Sequence, residues 1–193
     1  MSDSYHHGNL REALIETGLR YVNENGEDSL SLRKVASLCG VSHAAPYAHF
    51  EDKEALLCAI KDTVTGQFAN ELKRTIAENE KAGTEAALLA MGKSYVMFFV
   101  HHPDYFNFLF YKQKLEFHTQ IDKDHSEDYE PFLIFKELFK KYVNESELNL
   151  DREGQEIELI KTWNVVHGLS ALACMNSVSC SFDWKEIVDK CLK

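Results

Sequence analysis

Proline is scarce in this chain: 193 residues contain three, at positions 46, 103 and 131. A proline inside a helix breaks the backbone ladder, so this scarcity leaves long stretches free to be helical. Cysteine is also sparse. The five present, Cys39, Cys58, Cys174, Cys180 and Cys191, are odd in number and include no CxxC pair. That excludes a disulfide framework and reads as buried free thiols of a reducing cytoplasm. No apolar run approaches the roughly eighteen residues of a membrane-spanning helix. Residues 1–9 are polar and histidine-bearing, unlike a secretory leader, so the expected location is cytoplasmic, with no membrane partner. Positive charge is short too, with 21 lysines and arginines against 31 acids and a net charge of −10. A passive polyanion binder is thereby excluded, because its affinity comes from cations that displace counterions. The GxSxG, P-loop, HExxH and Cys-His signatures are all missing, so no enzyme and no cofactor are expected. His118, His125, Asp122, Asp124 and Glu127 stand close in sequence, but they read as a solvated charged loop rather than a metal site.

Helical periodicity takes the place of what is missing, and the expected fold class is all-α. Leu10, Ala13, Leu14, Thr17, Gly18, Tyr21 and Val22 recur at three and four residues and end at Gly26, which predicts a first helix from residue 9. Ser31 is placed to cap a short helix over residues 32–38, and Cys39, Gly40 and Val41 make a turn. Ser42 is then expected to cap a two-turn helix over residues 43–49, within which Pro46 removes a hydrogen bond. Asp52 is the expected cap of a long helix running from Lys53 towards Gly83. Further helices are expected over residues 84–101, 103–117, 129–149, 152–179 and 183–192, with an acidic loop over residues 120–130. Composition changes along the way: the first 52 residues hold 4 aromatics and the remaining 141 hold 18. The expected division is therefore residues 1–52 as a small helical domain and residues 53–193 as a larger, aromatic-rich helical domain.

A helix that enters the DNA major groove is short, polar on its outer face and fixed to a partner helix through a tight turn. Residues 31–50 meet this description if Leu32, Val35, Ala36, Val41, Ala45 and Phe50 pack inward while His43, Ala44, Tyr47 and His49 face out. The stretch SLRKVASLCGVSHAAPYAHFEDKEALL also resembles the signature of the TetR family of bacterial transcriptional regulators. Gly40, Val41, Ser42, Tyr47, Phe50, Lys53 and Leu56 fall in register with it. The resemblance covers about residues 9–60. It implies an all-helical homodimer with an amino-terminal DNA-binding domain and a carboxy-terminal effector and dimerisation domain. Trp163, His167 and Gly168 resemble the Trp, His and Gly of one carboxy-terminal domain type within that family, the WHG type, and YHHGNLREAL is typical of the same subgroup. His43-Ala44-Ala45-Pro46 departs from the glycine and threonine or serine usual before the tyrosine, at the segment that bears on base preference.

Roles for the side chains follow from their chemistry. Tyr47, His49 and Lys53 suit phosphate oxygens, as do Arg33, Lys34 and Arg11. Ser42, His43 and Ala44 are the base-contact candidates, Ala44 through a thymine methyl. Residues 1–53 hold five basic and eight acidic side chains, a net −3. DNA affinity must therefore come from local placement and fall steeply with salt.

The second region carries aromatics at helical spacing, most of them ordinary core. Tyr95, Phe98, Phe106, Phe110, Phe135, Trp163 and His167 are the candidates to line a pocket for a small apolar or aromatic effector. Ile157, Ile160, Trp163, Val166, Ala171 and Cys174, followed by Trp184, Ile187, Val188 and Cys191, suggest two final helices that pair with their copies across a two-fold axis. The expected function is a ligand-responsive regulator, a repressor by family habit, that binds a palindromic operator as a homodimer and is released by its effector. The alternative is a DNA-bound regulator or interaction protein of the same fold without an effector.

Overall fold

A computed structural model describes residues 10–121, 128–146 and 148–193. The described residues form helices α1 (Leu10–Asn25), α2 (Leu32–Leu38), α3 (Lys53–Asn79), α4 (Thr84–His101), α5 (Pro103–Asn107), α6 (Glu130–Glu145), α7 (Arg152–Cys174) and α8 (Trp184–Cys191), and no strand is present among them. The fold is all-helical: an amino-terminal helix-turn-helix followed by a larger helical domain. None of the described helices is long and apolar enough to cross a membrane.

The boundaries follow local chemistry. Gly26 stops α1 with φ 82°, a left-handed conformation that costs glycine little. Ser31 Oγ accepts the Lys34 N–H at 3.2 Å, and Asp52 Oδ1 accepts the Ala55 N–H at 2.7 Å, so α2 and α3 both start on the caps that the sequence offers.

Contacts divide the chain into two compact units, one up to Val64 with Asn107–Gln113, the other Thr65–Phe106 with Lys114–Lys193. In the first, Leu14, Ile15, Leu19 and Val22 of α1 are buried, as are Leu32, Val35 and Ala36 of α2. The two helices are tied by the Cys39 thiol, which lies 3.3 Å from Thr17 Oγ1 and 3.6 Å from the Ala13 carbonyl. At Gly18 an added Cβ would stand 2.9 Å from Ile60 Cδ1, so α1 lies against α3 where it has no side chain. Phe108 and Leu109 complete this core from a π turn, Phe108–Lys112, packed on α1.

The second unit is built on α4, which packs most extensively on α7 and also on α6 and α8. Phe68, Phe99 and Phe106 are fully buried there, with ring centroids 4.6 Å apart for Phe68 and Phe99 and 5.2 Å for Phe99 and Phe106. Removing that much apolar surface from water is worth about 1.5–3 kcal/mol per side chain. Helix α8 is held to α4 by buried Val188 and by the Lys93–Asp189 pair at 2.7 Å.

Several elements differ from expectation. Residues 43–49 are no α-helix: Ala45–Ala48 form a 3-10 turn, with His49 N–H on the Pro46 carbonyl and Tyr47 N–H on the Ala44 carbonyl. Pro46 lacks the N–H that would start an α ladder, so bonds close over three residues instead. The Ser42 carbonyl, not a side-chain cap, takes the Ala45 N–H at 3.0 Å. The helix expected over 103–117 ends at Asn107 and widens into the π turn. Four consecutive bulky residues, Phe108 to Tyr111, do not fit the one buried stripe of a regular helix, and burial of both Phe108 and Leu109 is met by widening. Beyond it the chain is irregular, and Phe117 reaches Trp163 and Phe132 at 4.6 and 5.4 Å. Helices α6 and α7 stop at Glu145 and Cys174, short of the expected 149 and 179. Only Cys39 and Cys174 are buried; Cys58, Cys180 and Cys191 are exposed, contrary to the expectation of buried thiols. Most of the acidic loop of residues 120–130, and the YHHGN portion of the family resemblance, lie outside the described residues.

Candidate nucleic-acid interface and effector cavity

The amino-terminal unit brings together most of the DNA-binding candidates. Leu32, Val35, Ala36, Pro46 and Phe50 turn inward and are buried. Burial of these residues leaves Ser42, His43, Ala44, Tyr47 and His49 exposed on the connecting segment, with Arg33 and Lys34 exposed on α2. Tyr47 retains 54% of its accessible surface, a large amphipathic ring held on a rigid turn. Lys53, half-buried, opens α3 beside that helix's free N–H groups and lies 3.9 Å from Glu54. Three candidates have internal contacts as well. His43 Nε2 is 3.0 Å from Ser37 Oγ, Arg11 stands 5.5 Å over the Phe50 ring, and Lys34 stands 5.9 Å over Tyr21. The Ser37–His43 bond fixes the imidazole against α2, which no spacing argument had indicated.

In the carboxy-terminal unit a cavity of about 30 Å³ lies between α4, α6 and α7. Leu88, Met91, Gly92 and Tyr95 of α4 form one wall, Tyr129, Pro131, Phe132 and Phe135 a second, and Thr162, Trp163 and Val166 of α7 the third. Among the described residues, no acid, lysine, arginine or histidine lines it. Gly92 matters sterically: a Cβ there would stand 3.3 Å from Val166 Cγ1, so its absence lets α4 and α7 approach.

A short polar chain crosses the inner wall. Trp163 Nε1 donates to the Tyr95 hydroxyl at 3.4 Å, and that hydroxyl lies 3.2 Å from His167 Nδ1. Burial pushes the Tyr95 phenol far above its ordinary range and holds the His167 imidazolium below its own, so both are neutral near pH 7. Cys174, whose thiol faces the Phe99 carbonyl at 3.5 Å, is pushed up to about 12 by burial and stays an inert thiol.

Of the seven effector-site candidates, Tyr95, Phe135 and Trp163 line the cavity. His167 stands behind them on Tyr95, and Phe106 packs on His167 at 5.2 Å. Phe98 faces a separate groove between α3 and α4 with Gln67, Ser94 and His102, and Phe110 belongs to the π turn of the other unit. Leu88, Tyr129, Pro131, Phe132 and Thr162 were not among the candidates. The signal for them was available in part, since Phe132 and Phe135 lie three residues apart on one face of α6.

The apolar stripe read on α7 also mixes two faces. Trp163, Val166 and Cys174 point into the domain, whereas Ile157, Ile160, Val165, Leu172 and Met175 are exposed, each at 44–47%. Among the described residues no group of three or more His, Cys, Asp or Glu could hold a metal ion. Asp122, Asp124, His125 and Glu127 lie outside those residues, and His118 Nδ1 is 2.6 Å from buried Asp128.

Residues 14–60 match the family profile of bacterial regulatory proteins, tetR family. A transcriptional regulator of Bacillus subtilis described as uncharacterized, YerO, is 34% identical over 73 residues, which are 38% of this chain and 25% of that protein. The class C tetracycline repressor of Escherichia coli is 41% identical over 54 residues, 28% of this chain and 25% of the repressor. The chain thus matches about a quarter of the length of these relatives. Over nearly the whole chain it superposes on AibR, solved in complex with isovaleryl coenzyme A and operator DNA, with a TM-score of 0.71 at 16% identity, covering 94% of this chain and 95% of that one. Residues 14–60 are thus similar to the DNA-binding segment of the tetR family of bacterial regulatory proteins, and the whole chain shares the all-helical fold of AibR.

Proposed function

We propose that this protein is a ligand-responsive transcriptional regulator of the bacterial cytoplasm. It binds a palindromic operator as a homodimer and is released by a small apolar or aromatic effector. The family is one of regulators rather than enzymes. The observation that carries the reading is the exposed set Ser42, His43, Ala44, Tyr47 and His49, presented on a segment anchored by buried Pro46 and Phe50. Tyr47, His49, Lys53, Arg33, Lys34 and Arg11 hold phosphates and fix register, while Ser42, His43 and Ala44 meet base edges. Functionally, residues 1–52 read DNA and residues 53–193 sense and dimerise. The carboxy-terminal domain is of the WHG type, in which Trp163 and His167 act through their shared contact with Tyr95.

Dimerisation uses the outward row of α7 with α8, a self-complementary surface of the kind a two-fold axis requires. AibR, solved with isovaleryl coenzyme A, and the repressors named for tetracycline support a small-molecule effector for this chain. An effector that binds one of two conformations better shifts operator affinity by that difference. Repression is the proposed sign. The small size of the cavity favours a second reading, a regulator of the same fold that has no effector.

Genome-wide footprinting of the wild type beside Tyr47→Ala and Lys53→Ala tests the DNA assignment. Both variants are expected to lose occupancy at every wild-type site, and equal occupancy by all three would refute the roles given to these side chains. Native mass spectrometry of protein purified from cells addresses the effector: a co-purified apolar ligand supports the sensor reading.

A further inference from the structure

Resting on the reading of the cavity as an effector site, we infer that it selects an uncharged effector carrying one hydrogen-bond acceptor, such as a carbonyl or ether oxygen, read by the Trp163 indole N–H. An indole nitrogen only donates, so the Tyr95 oxygen is the acceptor of their contact. The Tyr95 hydroxyl, which can both accept and donate, also lies 3.2 Å from His167 Nδ1, and the direction of that contact follows the imidazole tautomer. The group whose donor role is fixed is Trp163, on the cavity wall.

That end is weakly satisfied. The Trp163–Tyr95 distance of 3.4 Å is well beyond the 2.9–3.0 Å usual for an N–H donor. The other hydroxyl of α7 on the wall is already engaged, Thr162 donating to the Glu158 carbonyl at 2.8 Å. An acceptor entering the cavity is offered an indole N–H that its present partner holds poorly, and a ligand without an acceptor is not.

The effector's charge follows from the lining. With no lysine, arginine, acid or histidine among the described residues of the wall, a carboxylate or ammonium would be desolvated there without a counterion. The nearby lysines, Lys161 and Lys193, line a separate outer groove that shares only Leu88, Gly92, Thr162 and Val166 with the cavity. The cavity's 30 Å³ accommodates about two waters, so a ring-sized effector has to displace Met91 or the α6 phenylalanines. Entry of the effector is in this way coupled to the spacing of α4, α6 and α7.

The test uses the full-length protein carrying fluorine-labelled tryptophan at its two positions, Trp163 and Trp184, titrated with ethylbenzene, acetophenone and benzoate near neutral pH. Acetophenone is expected to bind about fivefold tighter than ethylbenzene, a neutral hydrogen bond's worth. It should shift the Trp163 fluorine resonance and leave Trp184 in place, while benzoate does neither. Trp163→Phe keeps the ring and should equalise acetophenone and ethylbenzene. Tyr95→Phe releases the indole N–H and should widen the gap between them. A merely structural role for these residues would lower both affinities together. Equal binding of acetophenone and ethylbenzene by the wild type, or benzoate binding as tight as acetophenone, overturns the inference and leaves an apolar effector site standing. If no probe perturbs Trp163, the effector site falls as well.

Discussion

Tyr47 and Lys53 are two of the side chains proposed to hold phosphate oxygens. Both sit at rigid points, one on a 3-10 turn and the other at the first turn of α3. Loss of one phosphate contact removes about one counterion from the salt dependence. Lys53→Ala is therefore expected to weaken binding to specific and unrelated duplexes alike and to reduce the slope of log affinity on log salt by about one unit. A fluorescence-anisotropy salt titration reads both quantities. His167 supplies a second prediction, in pH. Its pKa in the folded protein lies below the ordinary 6.5 because burial disfavours the charged form. The unfolded chain therefore binds the proton first as pH falls, and the stability that the neutral histidine permits is complete above 6.5 and declines as pH drops towards the folded value. His167→Phe should flatten the fall in melting temperature between pH 7 and pH 5 relative to wild type. An unchanged pH profile would deny this histidine any part in acid sensitivity.

Helices whose ends depend on one or two neighbours were legible in the sequence; those whose ends depend on tertiary packing were not. Ser31, Gly26 and Asp52 act within three or four residues, and α1, α2 and the start of α3 stand where their chemistry places them. Removing the Ser31 hydroxyl by Ser31→Ala is expected to cost about 1 kcal/mol in urea unfolding. Residues 43–49 escaped because a 3-10 turn and a two-turn α-helix share the same apolar spacing, and only the missing Pro46 N–H separates them. The π turn at Phe108–Lys112 escaped because four consecutive bulky residues carry no helical period. On α7 both faces are apolar, so periodicity alone could not assign Trp163 inward and Ile160 outward. The same indifference explains the effector candidates: Tyr95, Phe135 and Trp163 reach one cavity, whereas Phe98, three residues from Tyr95, turns to another groove. Gly18 gives a stability test of helix contact, since even a Cβ there would force Ile60 Cδ1, 2.9 Å away, to shift, and a larger side chain would also meet Leu56. Gly18→Leu should destabilise the protein by about 1–3 kcal/mol through overpacking, and a chemical-denaturation midpoint equal to wild type would contradict the close approach of α1 and α3.

Net charge of −10 disfavours DNA over the molecule as a whole, so the proposed operator binding relies on local placement of basic side chains, presented twice by the proposed dimer. The exposed row Ile157, Ile160, Val165 and Leu172 on α7 is the surface proposed to join them. A charge introduced there would be buried unpaired at a two-fold interface, so Leu172→Arg should yield a monomer that keeps its helical circular dichroism. Two amino-terminal helix-turn-helix segments are proposed to engage one duplex. The most direct test is native mass spectrometry of the purified protein with an operator fragment recovered by footprinting, for the wild type and for Leu172→Arg. Two chains per duplex for the wild type, with none retained by the monomeric variant at matched ionic strength, is the expected result. One chain per duplex, or a variant that binds as fully as wild type, would contradict it.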